Sequence, residues 1–126
     1  MEGAAIVAAV LIGAVIVFQV ALVLGAPWGS AAWGGRQAGT LPTRLRVASA
    51  VAVLVLGLLA WIVLAAAGLV ATSPLPESWL KPATWAATAY FALGALVNLI
   101  SRSRIERIWA PVALATAICC GIVALA

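Results

Sequence analysis

Three polar residues within otherwise apolar stretches are the first candidates for chemistry. Gln19, Ser49 and Asn98 carry amide or hydroxyl groups among apolar neighbours. Arg46 closely precedes Ser49, and Arg102 closely follows Asn98. Guanidinium groups bind carboxylates and phosphates through charge-assisted, often paired hydrogen bonds. If these side chains meet, they would form a polar vestibule with a cationic rim that favours a small anion or an anionic headgroup.

The alternative interpretation of the same residues is structural. Amides and hydroxyls in membrane helices form interhelical hydrogen bonds worth about 0.6 kcal/mol each on average. Arginines at the ends of such helices extend their charged groups to lipid headgroups. At the level of sequence both interpretations stay open.

The apolar stretches that carry these residues are long enough to cross a membrane. Of the 126 residues, 67% are hydrophobic and 8% are charged, whereas soluble domains carry about 25% charged residues. Charges are absent from four stretches, namely Glu2 to Arg36, Arg46 to Glu77, Lys81 to Arg102, and the residues after Arg107. Each stretch approaches or exceeds the ~20 residues that a spanning helix needs. We therefore predict an all-α membrane protein, a bundle of four transmembrane helices.

Start and stop signals predict where these helices lie. Gly25 suits the left-handed residue that ends a helix, and Pro27 prevents the helix from continuing. Ser103 and Glu106 have the spacing of a capping box at a helix start. Pro111 is predicted to kink the helix that follows. The sequence thus predicts one domain over residues 1–126, with helices at about 4–24, 42–70, 80–101 and 104–126.

The glycine-rich segment after the first helix contains two tryptophans, Trp28 and Trp33, and Trp109 begins the last apolar stretch. Tryptophan favours the headgroup level, where the ring is buried and the indole N–H stays hydrated. We predict that all three are interfacial anchors. The alternative for the segment is a re-entrant or ligand-closing loop, which must be buried in protein or line a cavity.

The distribution of basic residues predicts the orientation. The first and third loops with their flanks hold six arginines (Arg36, Arg44, Arg46, Arg102, Arg104 and Arg107), and the second loop region holds only Lys81. Loops rich in Lys and Arg stay in the cytoplasm. This places both termini outside. A cleaved signal peptide fits poorly, because the N-terminus carries Glu2 and no basic residue.

Two further patterns concern packing. Tyr90, Gly94 and Asn98 recur every four residues, so they share one helix face, which we predict to be a buried interface. Arg46 and Arg107 are each followed by a Val-Ala pair at the same offset. The second pattern is consistent with two repeated hairpins related by an axis along the membrane normal.

Several functions are disfavoured by what the sequence lacks. His and Asp are absent, which leaves no conventional catalytic triad and no histidine haem ligand. No charged residue lies within a span core, whereas coupled transporters usually carry one there. The glutamate that small multidrug antiporters carry in their first span is missing, and so is the motif of fluoride channels. Cys119 and Cys120 favour small-residue packing over a soft-metal or palmitate site. We expect no cofactor, no metal and no nucleic-acid partner.

Three stretches carry a resemblance to known proteins: 28–35 (Trp-Gly-Ser-Ala-Ala-Trp-Gly-Gly), 41–50 (Leu-Pro-Thr-Arg-Leu-Arg-Val-Ala-Ser-Ala) and 98–107 with Pro111-Val-Ala. Together they resemble small four-span membrane proteins of bacterial, especially actinobacterial, genomes. The resemblance covers most of the chain and implies a bacterial inner membrane, without implying an activity.

The sequence predicts a small integral membrane protein without catalytic function. Its first expected role is structural: an accessory subunit or self-associating bundle that contacts anionic lipids at its cytoplasmic face. The alternative is an oligomeric channel or uncoupled carrier for a small solute or lipid, with the vestibule as its site. A lipid-modifying enzyme is a third alternative.

Overall fold

The computed structural model describes residues 1–126 and is all-helical, as predicted. Its four long helices are α1 (Glu2–Val23), α2 (Thr43–Ala66), α3 (Glu77–Leu99) and α4 (Trp109–Leu125). Single 3-10 turns lie at Gly29–Ala31, Trp33–Gly35 and Glu106–Ile108. Three segments are long and apolar enough to cross a membrane, namely α1, α2 and the stretch from Glu106 to Leu125. The remaining helix, α3, is less apolar because it carries Lys81, two threonines, Tyr90 and Asn98.

Glycines in the left-handed conformation follow the ends of the first two helices. Gly25 has φ +99° directly after the last residues of α1, as its position in the sequence predicts. Gly68 has φ +74° and follows the end of α2. The predicted extension of α2 to residue 70 is therefore wrong, because the chain turns at Gly68. Helix α3 begins earlier than predicted, and Pro82 lies inside it.

The segment before α4 differs from the predicted helix 104–110. It forms turns and the 3-10 turn Glu106–Ile108, and α4 begins only at Trp109. Pro111 consequently lies in the first turn of α4, where proline is well tolerated, and the predicted kink stays a prediction. Half of the capping box is present, since the Glu106 N–H donates to Ser103 Oγ at 3.3 Å. The Glu106 carboxylate does not return to the Ser103 N–H, which donates to Ser101 Oγ instead.

The four helices form an antiparallel bundle in which each packs mainly against two neighbours. The most extensive contacts join α3 with α4 and α1 with α2, and α1–α4 and α2–α3 contacts close the bundle. Loop 24–42, the start of α2 and the turn 100–108 meet at one end, which we call the basic end because it holds all six arginines. Lys81 lies at the opposite end, near the chain terminus at Ala126.

Small residues dominate the core of the bundle. Ala5, Ala8, Ala87 and Cys120 are fully buried in one cluster. Small side chains let helix backbones approach closely, so that van der Waals packing replaces the hydrophobic driving force that is absent in lipid. Cys120 belongs to this core. Both cysteines are free thiols.

Two arginines bind the ends of the preceding helices. Arg46 donates through Nε and Nη2 to the Val23 carbonyl, at 3.0 and 2.8 Å. Arg107 donates through Nε to the carbonyl of Ser101, just after α3, at 2.8 Å. Carbonyls at a helix end lack partners within the helix and carry the negative end of its dipole. Arg46 thus binds the last residue of α1, whereas Arg107 binds a carbonyl beyond the end of α3, and the sequence repeat stays a prediction.

Candidate functional site at the basic end

Loop 24–42 is a folded element that covers the basic end. The Gly29 N–H donates to the carbonyl of Gly39 at 2.8 Å, which closes the loop on itself. A side chain at Gly29 would collide with the Gln37 and Gly39 carbonyls. Leu41 and Ala32 are buried against Leu22 of α1. The loop is therefore anchored to the bundle by its own small core.

Three hydrogen bonds tie this loop to the turn before α4 and to the first residue of α4. Ser103 Oγ donates to the Ser30 carbonyl, and the Gly34 N–H donates to Glu106 Oε2 at 3.0 Å. The Trp109 indole N–H donates to the Ala31 carbonyl at 3.2 Å. We call these three contacts the loop clasp. They join segments more than 70 residues apart in sequence, so they fix how the two hairpins meet.

Glu106 is the buried acid of the clasp. Its residue surface is only 6% exposed, and one carboxylate oxygen accepts the Gly34 N–H. Burial of a carboxylate is costly unless hydrogen bonds or charges compensate for it. Glu106 also lines a cavity, and its carboxylate can accept further hydrogen bonds.

The backbone of residues 33–35 is held in an unusual conformation. Trp33 has φ +49°, and Gly34 and Gly35 have φ +79° and +71°. For a residue with a side chain, the left-handed region costs about 1–2 kcal/mol. The Trp33 indole N–H donates to the buried Ser49 Oγ at 2.9 Å, which holds the ring against α2. The loop backbone is thus bent to bring the Gly34 N–H to Glu106 and the Trp33 ring to the cavity.

The cavity beneath the loop has a volume of about 610 Å³, within the ~300–1,000 Å³ typical of small-molecule sites. It is open rather than enclosed, and all four helices and the loop contribute to its walls. Its polar and aromatic lining residues are Phe18, Gln19, Trp33, Tyr90, Phe91, Asn98, Glu106, Trp109 and Thr116. The other lining residues are aliphatic residues and glycines.

One buried polar atom in this cavity has no partner. Gln19 Oε1 is buried and accepts no hydrogen bond. The Asn98 amide donates to the Gly94 carbonyl of its own helix at 2.9 Å, and its oxygen accepts no hydrogen bond from the protein. An unsatisfied buried carbonyl costs about 1–3 kcal/mol. Gln19 is therefore an unsatisfied group at the cavity wall, while the Asn98 oxygen is the acceptor without a protein donor.

The predicted vestibule forms only in part. Gln19 and Asn98 line the same cavity, and Ser49 is linked to it through its hydrogen bond with Trp33. Arg46 and Arg102 do not line the cavity. The predicted cationic rim is wrong because Arg46 is bound to the end of α1 and Arg102 is exposed. In place of the arginines, the cavity presents Glu106.

The predicted interfacial tryptophans also have different environments. Trp33 and Trp109 donate their N–H groups to Ser49 and Ala31. The expectation that these two N–H groups face water is therefore wrong, because the loop end offers acceptors inside the protein. Trp28 is half-exposed and stacks on Phe18 with centroids 6.4 Å apart. Its role as an anchor stays a prediction.

The stripe of Tyr90, Gly94 and Asn98 lies on the cavity wall rather than at a tight helix interface. A Cβ atom added at Gly94 would meet only the Ala113 Cβ, at 4.0 Å. A large side chain at this position would therefore project into the open cavity. The three residues share a helix face, but the predicted buried interface is wrong for Tyr90, which is 45% exposed.

Glu106 is a candidate functional residue that the sequence analysis interpreted only as part of a helix cap. In the sequence it is one half of a capping box, and its carboxylate was expected to bind Ser103. The signal that could have identified it is its position, because it is an acid among arginines directly before an apolar span. Its contact with Gly34 depends on the loop geometry, which the sequence does not display.

A second cavity of about 450 Å³ lies at the opposite end of the bundle. Its charged lining residues are Glu77 and Lys81, both exposed. It contains no buried polar atom that lacks a partner. The cavity at the basic end is thus the better candidate for a binding site.

Comparison with known proteins adds no assignment. No protein-family model matches the chain, and no curated protein or solved structure is significantly similar to it.

Proposed function

We propose that this chain is a four-span inner-membrane protein of bacteria whose basic end faces the cytoplasm and whose termini lie outside. Its three strongly apolar segments support membrane insertion. Helix α3 packs against α4 and α2, which supports the proposal that it is the fourth span. The polar residues that lower the hydropathy of α3 include Tyr90 and Asn98, which face the cavity rather than lipid alone. Exposed Arg36, Arg44 and Arg102 at the basic end are available to anionic headgroups.

Single cysteines test this orientation in a chain whose Cys119 and Cys120 are replaced by alanine. A cysteine at exposed Gln37 should react with a membrane-impermeant reagent only after permeabilisation. A cysteine at exposed Ser73, in the loop between α2 and α3, should react in intact cells. Labelling of the Gln37 position from outside would overturn the orientation.

The proposed biochemical role is non-catalytic binding of an amphiphilic molecule in the cavity beneath loop 24–42. The observation that carries this proposal is the cavity itself, which has mostly apolar walls and polar groups at the basic end. An amphiphile has the same division between an apolar tail and a polar head. The sequence contains no His and no Asp, which supports a binding protein over an enzyme.

Access from the lipid is consistent with the surface of α3. Leu93 and Val97 line the cavity and are 63% and 60% exposed, and Tyr90 is 45% exposed. The cavity is thus bounded by side chains that also form the lateral apolar surface. A tail could enter sideways, while its head meets Asn98 and Glu106.

Tryptophan fluorescence quenching tests amphiphile binding. The probe is a neutral monoacylglycerol brominated in mid-chain, added at low mole fraction to the protein in maltoside micelles. Because Trp33 and Trp109 line the cavity, we expect a saturable quenching component in addition to the gradual quenching of lipid-facing tryptophans.

Two glycine variants identify the source of that component. Gly94→Leu should remove it by filling the cavity. Gly13→Leu is the matched control, because Gly13 is also a partly buried helix glycine without close neighbours but does not line the cavity. Gly13→Leu should retain saturable quenching. Absence of the component in the unmodified protein would favour the structural or accessory role instead, and self-association of the bundle stays a separate prediction.

A further inference from the structure

The charge of the cavity bears on the headgroup that it would accept, an inference that rests on the proposed amphiphile binding. Glu106 is the only charged residue among the lining residues. None of the six arginines at the same end lines the cavity, and Arg46 and Arg107 are bound to backbone carbonyls. An anionic headgroup would therefore meet a carboxylate without a compensating cation.

Two side chains of the cavity have acceptor atoms with free capacity. One N–H of the Asn98 amide donates to the Gly94 carbonyl, and the amide oxygen accepts no hydrogen bond from the protein. Glu106 receives one N–H from Gly34, and a carboxylate can accept several hydrogen bonds. Gln19 Oε1 also lacks a donor, but it is fully buried and is therefore not open to a molecule in the cavity. Asn98 and Glu106 thus offer acceptors in the same cavity.

We propose that the cavity selects amphiphiles that carry a primary ammonium group. An ammonium is a cation with three N–H donors and no acceptor, which matches the single carboxylate of the cavity and the unpaired amide oxygen of Asn98. The aliphatic walls hold the tail but contribute little selectivity inside a membrane, because lipid tails are as apolar as leucine side chains. Selection among membrane amphiphiles is therefore made at the headgroup. The ammonium can belong to an ethanolamine phospholipid or to a free long-chain amine.

Competition against the neutral brominated probe tests this selectivity. Unbrominated competitors with the same chain length carry an ammonium, a hydroxyl or a carboxylate. We expect the alkylammonium to displace the probe at about one-tenth of the mole fraction that the alcohol needs. A tenfold preference corresponds to about 1.4 kcal/mol. The carboxylate should be the weakest competitor.

Three variants assign the preference to the cavity, with the ratio of ammonium to alcohol affinity as the readout. Glu106→Gln should reduce the ratio to near one. Asn98→Leu leaves the Glu106 hydrogen bond in place and should lower the ratio about threefold. Glu77→Gln changes an exposed acid outside this cavity and should keep the full ratio. A ratio that is unchanged in Glu106→Gln or in Asn98→Leu would overturn the assignment, as would equal displacement by all three headgroups.

The outcomes separate this inference from the proposed function. If the neutral probe shows no saturable binding, amphiphile binding itself is refuted. If the probe binds but the carboxylate competes as well as the ammonium, only the headgroup assignment fails.

Ethanolamine and glycerol phospholipids form the last pair of competitors. Preferential displacement by the ethanolamine lipid identifies a membrane lipid as the source. If only the single-chain amine competes, the source is a free amphiphile, and stronger competition by the glycerol lipid contradicts the inference.

Discussion

The loop clasp predicts a specific loss of stability when Glu106 is replaced. In the folded protein, Glu106 Oε2 accepts the Gly34 N–H at 3.0 Å, and the residue is 6% exposed. Hydrogen bonds to charged groups contribute about 1.5–3 kcal/mol. Gly34 is itself exposed, so water can partly replace the lost acceptor. We therefore expect Glu106→Ala to lower the free energy of unfolding by about 2 kcal/mol and Glu106→Gln by about 1 kcal/mol.

A double-mutant cycle with Ser103 tests whether the two residues act on the same loop. Ser103 Oγ bonds the Ser30 carbonyl and accepts the Glu106 N–H, so Ser103→Ala should cost about 2 kcal/mol for two hydrogen bonds. Once one contact releases the loop, the other loses much of its effect. The double variant should therefore cost about 1 kcal/mol less than the sum of the single variants.

Equilibrium unfolding with SDS in maltoside micelles, followed by circular dichroism, measures these values. Glu77→Ala is the control, since this exposed acid forms no hydrogen bond through its side chain and should change stability by less than about 0.5 kcal/mol. The clasp would be refuted as a stabilising element if Glu106→Ala changed stability no more than Glu77→Ala. If the losses of stability in the two single variants simply added in the double variant, Glu106 and Ser103 would not be stabilising the same loop.

Two further predictions use the same unfolding assay. Gly35→Ala should be more destabilising than Gly34→Ala. Both substitutions place a side chain at positive φ, which costs about 1–2 kcal/mol of stability. Only the added Cβ at Gly35 also collides with the Ser103 side chain. Equal losses of stability in the two variants would contradict this packing. Arg46→Lys should cost about 1 kcal/mol because the two-nitrogen contact with the end of α1 is lost. Arg44→Lys, at an exposed position without a hydrogen bond, should cost less than about 0.3 kcal/mol, and an equal effect at both positions would argue against the contact.

The helical architecture could be predicted from the sequence because charge gaps, glycines and prolines act locally. Gly25 ends α1 as predicted because a left-handed residue is required directly after that helix. The position of Pro111 was misjudged for a related reason. A proline inside an apolar run predicts a kink, but the turn before α4 extends further than the capping box suggests. The polar residues of the turn gave no sign that Glu106 would bind the first loop rather than its own helix start.

The site could be predicted only in part because its contacts join distant parts of the chain. Gln19 and Asn98 were identified since polar residues in apolar helices stand out. The predicted cationic rim does not line this cavity, because the direction of Arg46 depends on where α1 ends in space. The Glu106 contact depends on three successive residues with positive φ, of which Trp33 is not a glycine. No local pattern encodes that geometry.

The most direct measurement of the central claim is native mass spectrometry of the protein extracted from membranes in mild detergent. If the cavity at the basic end holds an amphiphile, the unmodified protein and the Gly13→Leu variant should retain one adduct of lipid-like mass per chain. The Gly94→Leu variant should lose this adduct while staying folded, because its side chain fills the cavity. No adduct in the unmodified protein, or the same adduct in both glycine variants, would contradict the proposed role of the cavity.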